Sequence, residues 1–372
     1  MPILSKTIIK SLSILTTCLL LFSSPSAKAQ KKLNVAIAGL SHDHVNLIMN
    51  SYVNGEVNIV GIAENNPDLI KRFKQRAKLP DAVFFNTLTD LLKNIKPDVV
   101  MAFNSIEEHL AVVEVAAPLG ISVMVEKPLA VSVKHAERMV QLATKHNIKL
   151  LTNYETTWYS SNQEAFKRFK EGKEIGEMRK MVFHDGHKGP KEIGVSKEFL
   201  SWLTDPVKNG GGAIIDFGCY GANLMTWLMD GQAPISVTAI TKTIKPDVYP
   251  KVDDDATILV EYPNATGIIE ASWNWAFNIK DMELFGQTGY IQAVNPNTLR
   301  IRSDRNQEYQ TSTARPLEKA YSNYIDYVAA LLDGSIKAEQ DLSSPENNLM
   351  VVKILEAAKK SAKEGRKITF NK

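Results

Sequence analysis

Residues 33–53 read LNVAIAGLSHDHVNLIMNSYV. The β-branched, apolar run Leu33–Ala38 stops at Gly39, and a helical pattern follows within a few residues. The rhythm recurs down the first half. Val57–Ala63, Asp98–Phe103, Ile121–Val125 and Lys149–Thr152 are further short apolar runs, with helical patterns at about 43–53, 67–77, 87–95, 107–118 and 132–146. Strands that are apolar at every position suit a parallel sheet covered on both faces. Pro67 after Asn65-Asn66 fits a first helical turn, and Gly120 fits a helix end. The alternation predicts a doubly wound, dinucleotide-binding α/β domain over 30–150.

The second half, 151–372, reads as an α+β domain with a large, open, mostly antiparallel sheet. A helix is expected at 161–171 and a strand at 178–184. Gly210-Gly211-Gly212 opens a helix running to Met229. Strands follow at 235–243, 255–262, 266–276, 281–285 and 288–293, then helices at 316–333 and 345–364. The last helix is a candidate to pack back on the first domain.

Where a dinucleotide fold carries G-x-G-x-x-G, this chain has Gly39-Leu40-Ser41-His42-Asp43-His44. Gly39 is retained, Ser41 is small enough to let a pyrophosphate approach, and His44 stands at the third glycine position. The turn follows a strand and opens a helix, whose first N–H groups attract phosphate. Glu64 ends the second strand, where an acid accepts ribose hydroxyls of NAD and repels the extra phosphate of NADP. NAD is therefore the expected cofactor. His42 and His44 are two apart and diverge from a helix start, and no Cys–His cluster supports them, so no metal is expected.

The fifth strand runs into Glu126-Lys127-Pro128, at the strand end where ligands sit in open α/β sheets. Asp216 and Tyr220 are four apart on an expected helix and share a face. A lysine, a carboxylate and a phenol beside a nicotinamide suit alcohol oxidation: hydride leaves carbon while a base takes the hydroxyl proton. A free tyrosine ionises near about pH 10, and a nearby ammonium favours the phenolate. Tyr220 is then the base, Lys127 tunes it from within bonding reach, and Asp216 orients a substrate hydroxyl or the lysine.

The strand–glycine start, the E-K-P at 126–128, the stretch GGGAIIDFGCY at 210–220 and the tail ENNLMVVKILEAAKKSAKEGRKI resemble the glucose–fructose oxidoreductase / inositol dehydrogenase / rhizopine-catabolism (Gfo/Idh/MocA) family. The resemblance covers essentially the whole chain after the first thirty residues. It implies an N-terminal Rossmann domain, a C-terminal domain with an open sheet, a nicotinamide cofactor and a sugar-like or cyclic polyol substrate. It places the catalytic lysine at Lys127 and the orienting carboxylate at Asp216. Tyr220 stands where many members carry histidine. Glu126, Asn104 and His109 join Gly39, Ser41, His42, Asp43, Glu64 and Lys127 as expected cofactor contacts.

In the second domain, His184 and His187 flank Asp185-Gly186 at a strand end, and either can bind a sugar hydroxyl. Trp158 follows the sixth strand and is expected to line the substrate pocket. Trp273 and Trp275 alternate and share a face, either beneath the sheet or under a partner subunit, so a homo-oligomer through the open sheet is expected.

The composition sets outer limits. There are 44 Lys+Arg against 41 Asp+Glu, and the surplus is carried by Lys6, Lys10 and Lys28 in an acid-free segment, 1–29. The rest is formally neutral, which argues against nucleic-acid binding by bulk charge. Lys6 and Lys10, the apolar run 11–22 and Ala27-Lys28-Ala29 read as a cleavable signal peptide cut before Gln30, giving a periplasmic or secreted protein. The run is shorter than the about 20 apolar residues a membrane span needs. One cysteine, Cys219, remains after the cut, so no internal disulfide is expected.

The leading expectation is an exported oxidoreductase acting on a hydroxyl of a sugar, glycoside or cyclic polyol, with tightly held NAD. An alternative is an NAD-dependent glycosidase working by transient oxidation, elimination, hydration and reduction. A second alternative is a non-catalytic sugar-binding protein on the same fold.

Overall fold

The computed structural model describes residues 32–337 and 341–370. The signal-peptide reading of 1–29 lies outside the described residues. In the first half, strands β1 (Leu33–Ala38), β2 (Val57–Ala63), β3 (Phe84–Phe85), β4 (Val99–Ala102), β5 (Ser122–Glu126) and β6 (Leu150–Asn153) alternate with helices α1 (Val45–Val53), α2 (Pro67–Ala77), α3 (Leu88–Asn94), α4 (His109–Ala116) and α5 (Val133–His146). Among the described residues these strands form one parallel sheet, ordered β3-β2-β1-β4-β5-β6. The order reverses between β1 and β4, which opens a crevice at their carboxyl ends.

Burial explains the unbroken apolar strands. Val35 and Ile37 of β1 join Ile48 and Phe73 in one core, while Ala36 and Ala38 join Leu91, Val113 and Met139 in another on the opposite face. Helix starts follow local chemistry. Asn66 caps α2, accepting from the Asp68 and Leu69 amides ahead of Pro67, and Ser132 caps α5.

The second half contains α6 (Ser160–Lys170), β7 (Met178–Gly186), α7 (Lys197–Leu203), α8 (Ala213–Asp216), α9 (Gly218–Leu228), β8 (Ser236–Lys242), β9 (Asp255–Glu261), β10 (Thr266–Ser272), β11 (Ile279–Gly286), β12 (Tyr290–Asn295), β13 (Thr298–Arg302), β14 (Gln310–Thr313), α10 (Tyr324–Leu332), α11 (Pro345–Glu364) and β15 (Ile368–Thr369). The second sheet runs β14-β13-β12-β11-β7-β10-β9-β8-β15. It is antiparallel except for β7 and β10, which pair in parallel. Helices α9 and α11 cover its inner face.

Three expectations change. The helix expected from 210 to 229 is two helices broken at Phe217. The strand expected at 266–276 ends at Ser272, where the Trp273 amide turns to the Asp254 carbonyl. The helix expected at 316–333 starts only at Tyr324, capped by Asn323. Although α10 comes late in the chain, its Tyr324, Tyr327 and Val328 bury in the core of the first sheet. From α11, Val352 does the same on the other face.

Candidate active site

The break at Phe217 builds the site. In a continuous helix the Asp216 carbonyl would accept the Tyr220 amide. Here that amide bonds the Phe217 carbonyl instead, at 3.1 Å. The freed Asp216 carbonyl accepts Lys127 Nζ at 3.0 Å, and Asp216 Oδ1 accepts the same ammonium at 2.5 Å. Lys127 follows β5 directly, through a cis bond to Pro128. Two of its three N–H donors are thus spent, and one is left for a substrate oxygen. Asp216 Oδ2 accepts Trp273 Nε1 at 2.9 Å. Burial works against charge on both partners, but the pairing prevails: it lifts the Lys127 pKa and holds Asp216 below the carboxylate range. At neutral pH the pair is an ammonium and a carboxylate.

Tyr220 is placed differently from expectation. The Lys127 ammonium stands over its ring, 5.0 Å from the centroid, and bonds Asp216 rather than the phenol hydroxyl. Burial raises the Tyr220 pKa well above 10, and the carboxylate of Glu155 adds to the rise. Tyr220 is therefore a neutral proton donor in the free protein, not a resting phenolate.

Lys127, Asp216 and Tyr220 share a cleft of about 690 Å³ with Asp43, His44, His187, Phe199, Phe217 and Lys280. His187 Nδ1 accepts the Gly189 amide at 2.9 Å, which leaves the ring proton on Nε2. Burial lowers its pKa, so it is neutral. His184, one strand position before Asp185, faces the other side of the sheet, pairs with Asp281 at 2.6 Å and does not line the cleft. Trp158 does not line the cleft either. Its Nε1 donates to Asn153, Asn153 donates to Glu126, and Glu126 pairs with His44 Nδ1 at 2.9 Å. Glu126 is buried, and its bonds to His44 and Asn153 hold His44 at the cleft. Trp273, expected beneath the sheet or at an interface, is fully buried against Asp216, and Trp275 lies past the strand end. Cys219 is buried, and burial pushes its thiol up to about 12.

A second cavity, about 440 Å³, opens at the β1/β4 crevice. Gly39, Ser41, Glu64 and Asn104 line it. Gly39 has φ +80°, and a Cβ there would lie 2.7 Å from Asn104 Cβ. Asn104 Oδ1 is buried without a partner among the described residues, an acceptor waiting for a ligand donor. Glu64 accepts three backbone amides, of Leu40, Asn65 and Asn66. That leaves about one of its roughly four lone-pair directions for a ribose hydroxyl.

The helix start does not supply free amides as expected. Those of Val45, Asn46 and Leu47 close tight turns onto 42–44. The amide of Ser41, which lines the cavity, has no acceptor among the described residues and remains for a phosphate. These features fit a dinucleotide. His42 and His109 do not reach the cavity. His42 is buried against Phe199 and Trp202, and His109 is buried with Nδ1 on the Leu129 carbonyl, its pKa lowered to about 4 by burial.

His42, His44 and Glu126 place ligand atoms within 4.8 Å of one another. His42 Nδ1 already accepts the His44 amide, so its neutral ring carries the proton on Nε2. No His42 lone pair is left for a metal, and Glu126 is committed to His44 and Asn153.

Sequence reasoning missed Lys280, which β11 brings to 4.5 Å from the Tyr220 ring centroid, and Trp273 as the partner of Asp216. Both positions depend on strand pairing across the second sheet, which local pattern does not encode.

Residues 33–154 match the family model for the oxidoreductase family with an NAD-binding Rossmann fold, and residues 164–292 match the GFO/IDH/MocA C-terminal domain. Trans-1,2-dihydrobenzene-1,2-diol dehydrogenase of Xenopus tropicalis is 24% identical over 312 residues, 81% of this chain and 88% of that one. Aldose-aldose oxidoreductase from Caulobacter crescentus, solved with glycerol, superposes with a TM-score of 0.77 at 23% identity, covering 91% of this chain and 100% of that one. An inositol dehydrogenase homolog from Azotobacter vinelandii, solved with NAD+, gives 0.80 at 18% identity, covering 92% and 98%.

Proposed function

The chain belongs to the GFO/IDH/MocA family of NAD-binding oxidoreductases, and from that premise we propose that it oxidises a hydroxyl of a sugar, glycoside or cyclic polyol, reversibly, with tightly held NAD. The observation that carries the reading is the convergence of the Lys127 ammonium, the neutral Tyr220 phenol and the His187 N–H on one cleft beside the nucleotide cavity. The diol, aldose and inositol relatives support a polyhydroxylated substrate. NAD is favoured over NADP by Glu64 at the end of β2.

When bound, the nicotinamide accepts or returns hydride. The chain's own residues handle the proton. In reduction, Lys127 and His187 polarise the carbonyl oxygen and Tyr220 gives it a proton. In oxidation the proton moves the other way, so Tyr220 or Lys127 must first lose its own. Asp216, held by Trp273, keeps the ammonium in place.

The protein is exported in this reading, on the signal pattern at 1–29, and associates through the open sheet face. Ile240 and Leu259 are exposed there, and Phe285 packs on Tyr290 beside Tyr309. Mass spectrometry of nucleotide released from the denatured protein, followed by a sugar and polyol panel, tests the activity. Substrate-dependent reduction of bound NAD is expected. Release of aglycone from a chromogenic glycoside at constant redox state would replace it with hydrolysis.

A further inference from the structure

One carboxylate in the nucleotide cavity comes from the other half of the molecule. Glu198, in the first turn of α7, lines the cavity together with Glu64, Asn65, Asn66 and Leu69. Its two oxygens take both ends of the Arg72 guanidinium, NH1 at 3.1 Å and NH2 at 3.0 Å. Arg72 sits on α2, one turn beyond Leu69, so its fork stands at the rim of the cavity. Lys197 Nζ lies between, 3.6 Å from Glu198 and 3.7 Å from Asp68.

The helix carrying Glu198 is itself fixed to the first domain. Asp43 Oδ2 accepts the Ser196 amide at 2.8 Å at its start, and Trp202 Nε1 donates to the Ser41 carbonyl at 3.4 Å near its end. Glu198 is therefore positioned, not merely nearby.

An arginine fork is the group that best takes a phosphate with two parallel bonds. Here that fork is already filled by a carboxylate of the same geometry. Among the described residues lining the cavity, none is lysine or arginine, while Glu64, Glu108 and Glu198 are acidic. A ribose 2′-phosphate would meet like charge and find its natural partner occupied.

We propose that Glu198 is a specificity-determining residue for the dinucleotide: it keeps Arg72 engaged and so denies a 2′-phosphate the cation that would hold it. The proposal rests on the dinucleotide reading of this cavity and deepens it. The carboxylate that excludes NADP is then partly supplied by the substrate-binding half, across the interface of the two sheets.

The test is competition. Purified protein is exchanged against repeated excess of equimolar NAD+ and NADP+ until its bound nucleotide no longer changes, freed of unbound nucleotide and denatured, and the released nucleotides are quantified by mass spectrometry. Wild type should release chiefly NAD+. Glu198→Gln should raise the NADP+ to NAD+ ratio by about tenfold or more, the scale of one charge-assisted phosphate contact. Glu198→Ala should shift it the same way, which guards against a defect peculiar to one variant. Adding Arg72→Leu to Glu198→Gln should abolish the gain. An unchanged ratio in both Glu198 variants, or a gain that survives loss of Arg72, overturns the proposal. A wild type that prefers NADP+ overturns it as well. Release of neither nucleotide would instead overturn the dinucleotide reading, and this proposal with it.

Discussion

Lys127 shows how one side chain carries both stability and chemistry. Its ion pair with Asp216 is almost fully buried, at 5% and 6% exposure. Removing one partner of such a pair costs about 3–5 kcal/mol, because the other charge is left without compensation. Lys127→Ala should therefore melt earlier than wild type in a urea titration at pH 7. In that variant burial drives the Asp216 pKa up, so the unpaired carboxylate takes a proton as pH falls. The stability gap should narrow on acidification. In wild type the sign is opposite: Asp216 is depressed, so its contribution is present above the unfolded value and lost as pH drops through the folded one. A gap that stays constant with pH would contradict the buried pairing. For Tyr220, the raised pKa makes the phenol the resting form. Oxidation of the alcohol should accelerate with rising pH, while the reverse reduction should stay flat through the neutral range because the donor remains protonated, in initial-rate profiles of both directions. Tyr220→Phe should lower turnover by about 10²–10⁴-fold, with bound NAD retained.

At the scale of elements, the first half was legible because its signals are local. Helix α2 begins where Asn66 and Pro67 place it, and β1 and β2 are bounded as their apolar runs suggest. The break between α8 and α9 was not legible. It depends on Lys127 claiming the Asp216 carbonyl, and on Asp253, 37 residues beyond Asp216, accepting the Gly212 and Ile214 amides. A Cβ at Gly212 would sit 1.8 Å from the Asp253 carbonyl oxygen, so the glycine run serves close backbone approach as well as helix initiation. Asp253→Ala removes the cap and should cost about 0.5–2 kcal/mol in stability. It should lower turnover more than nucleotide retention, since the disturbance reaches Asp216 first. Equal losses in both would place the cap's effect elsewhere. His184 and His187 make the same point. Their roles separate only once β7 pairs with β11 and fixes which side chains face the cleft.

For the whole molecule, two sheets set two cavities side by side, and α7 walls both: Glu198 faces the nucleotide cavity while Phe199 and Leu203 face the cleft. The proposed export and self-association belong to this scale. N-terminal sequencing of the secreted protein should begin at Gln30, and light scattering should give a multiple of the chain mass. The central claim is that Lys127 works on a substrate oxygen next to a bound nicotinamide. The most direct measurement is single-turnover nicotinamide absorbance after mixing the NAD-loaded protein with a sugar or polyol that wild type reduces NAD with. In Lys127→Ala, with NAD still bound, the account predicts a rate lower by about 10²–10⁴-fold. An unchanged rate in that variant would contradict it.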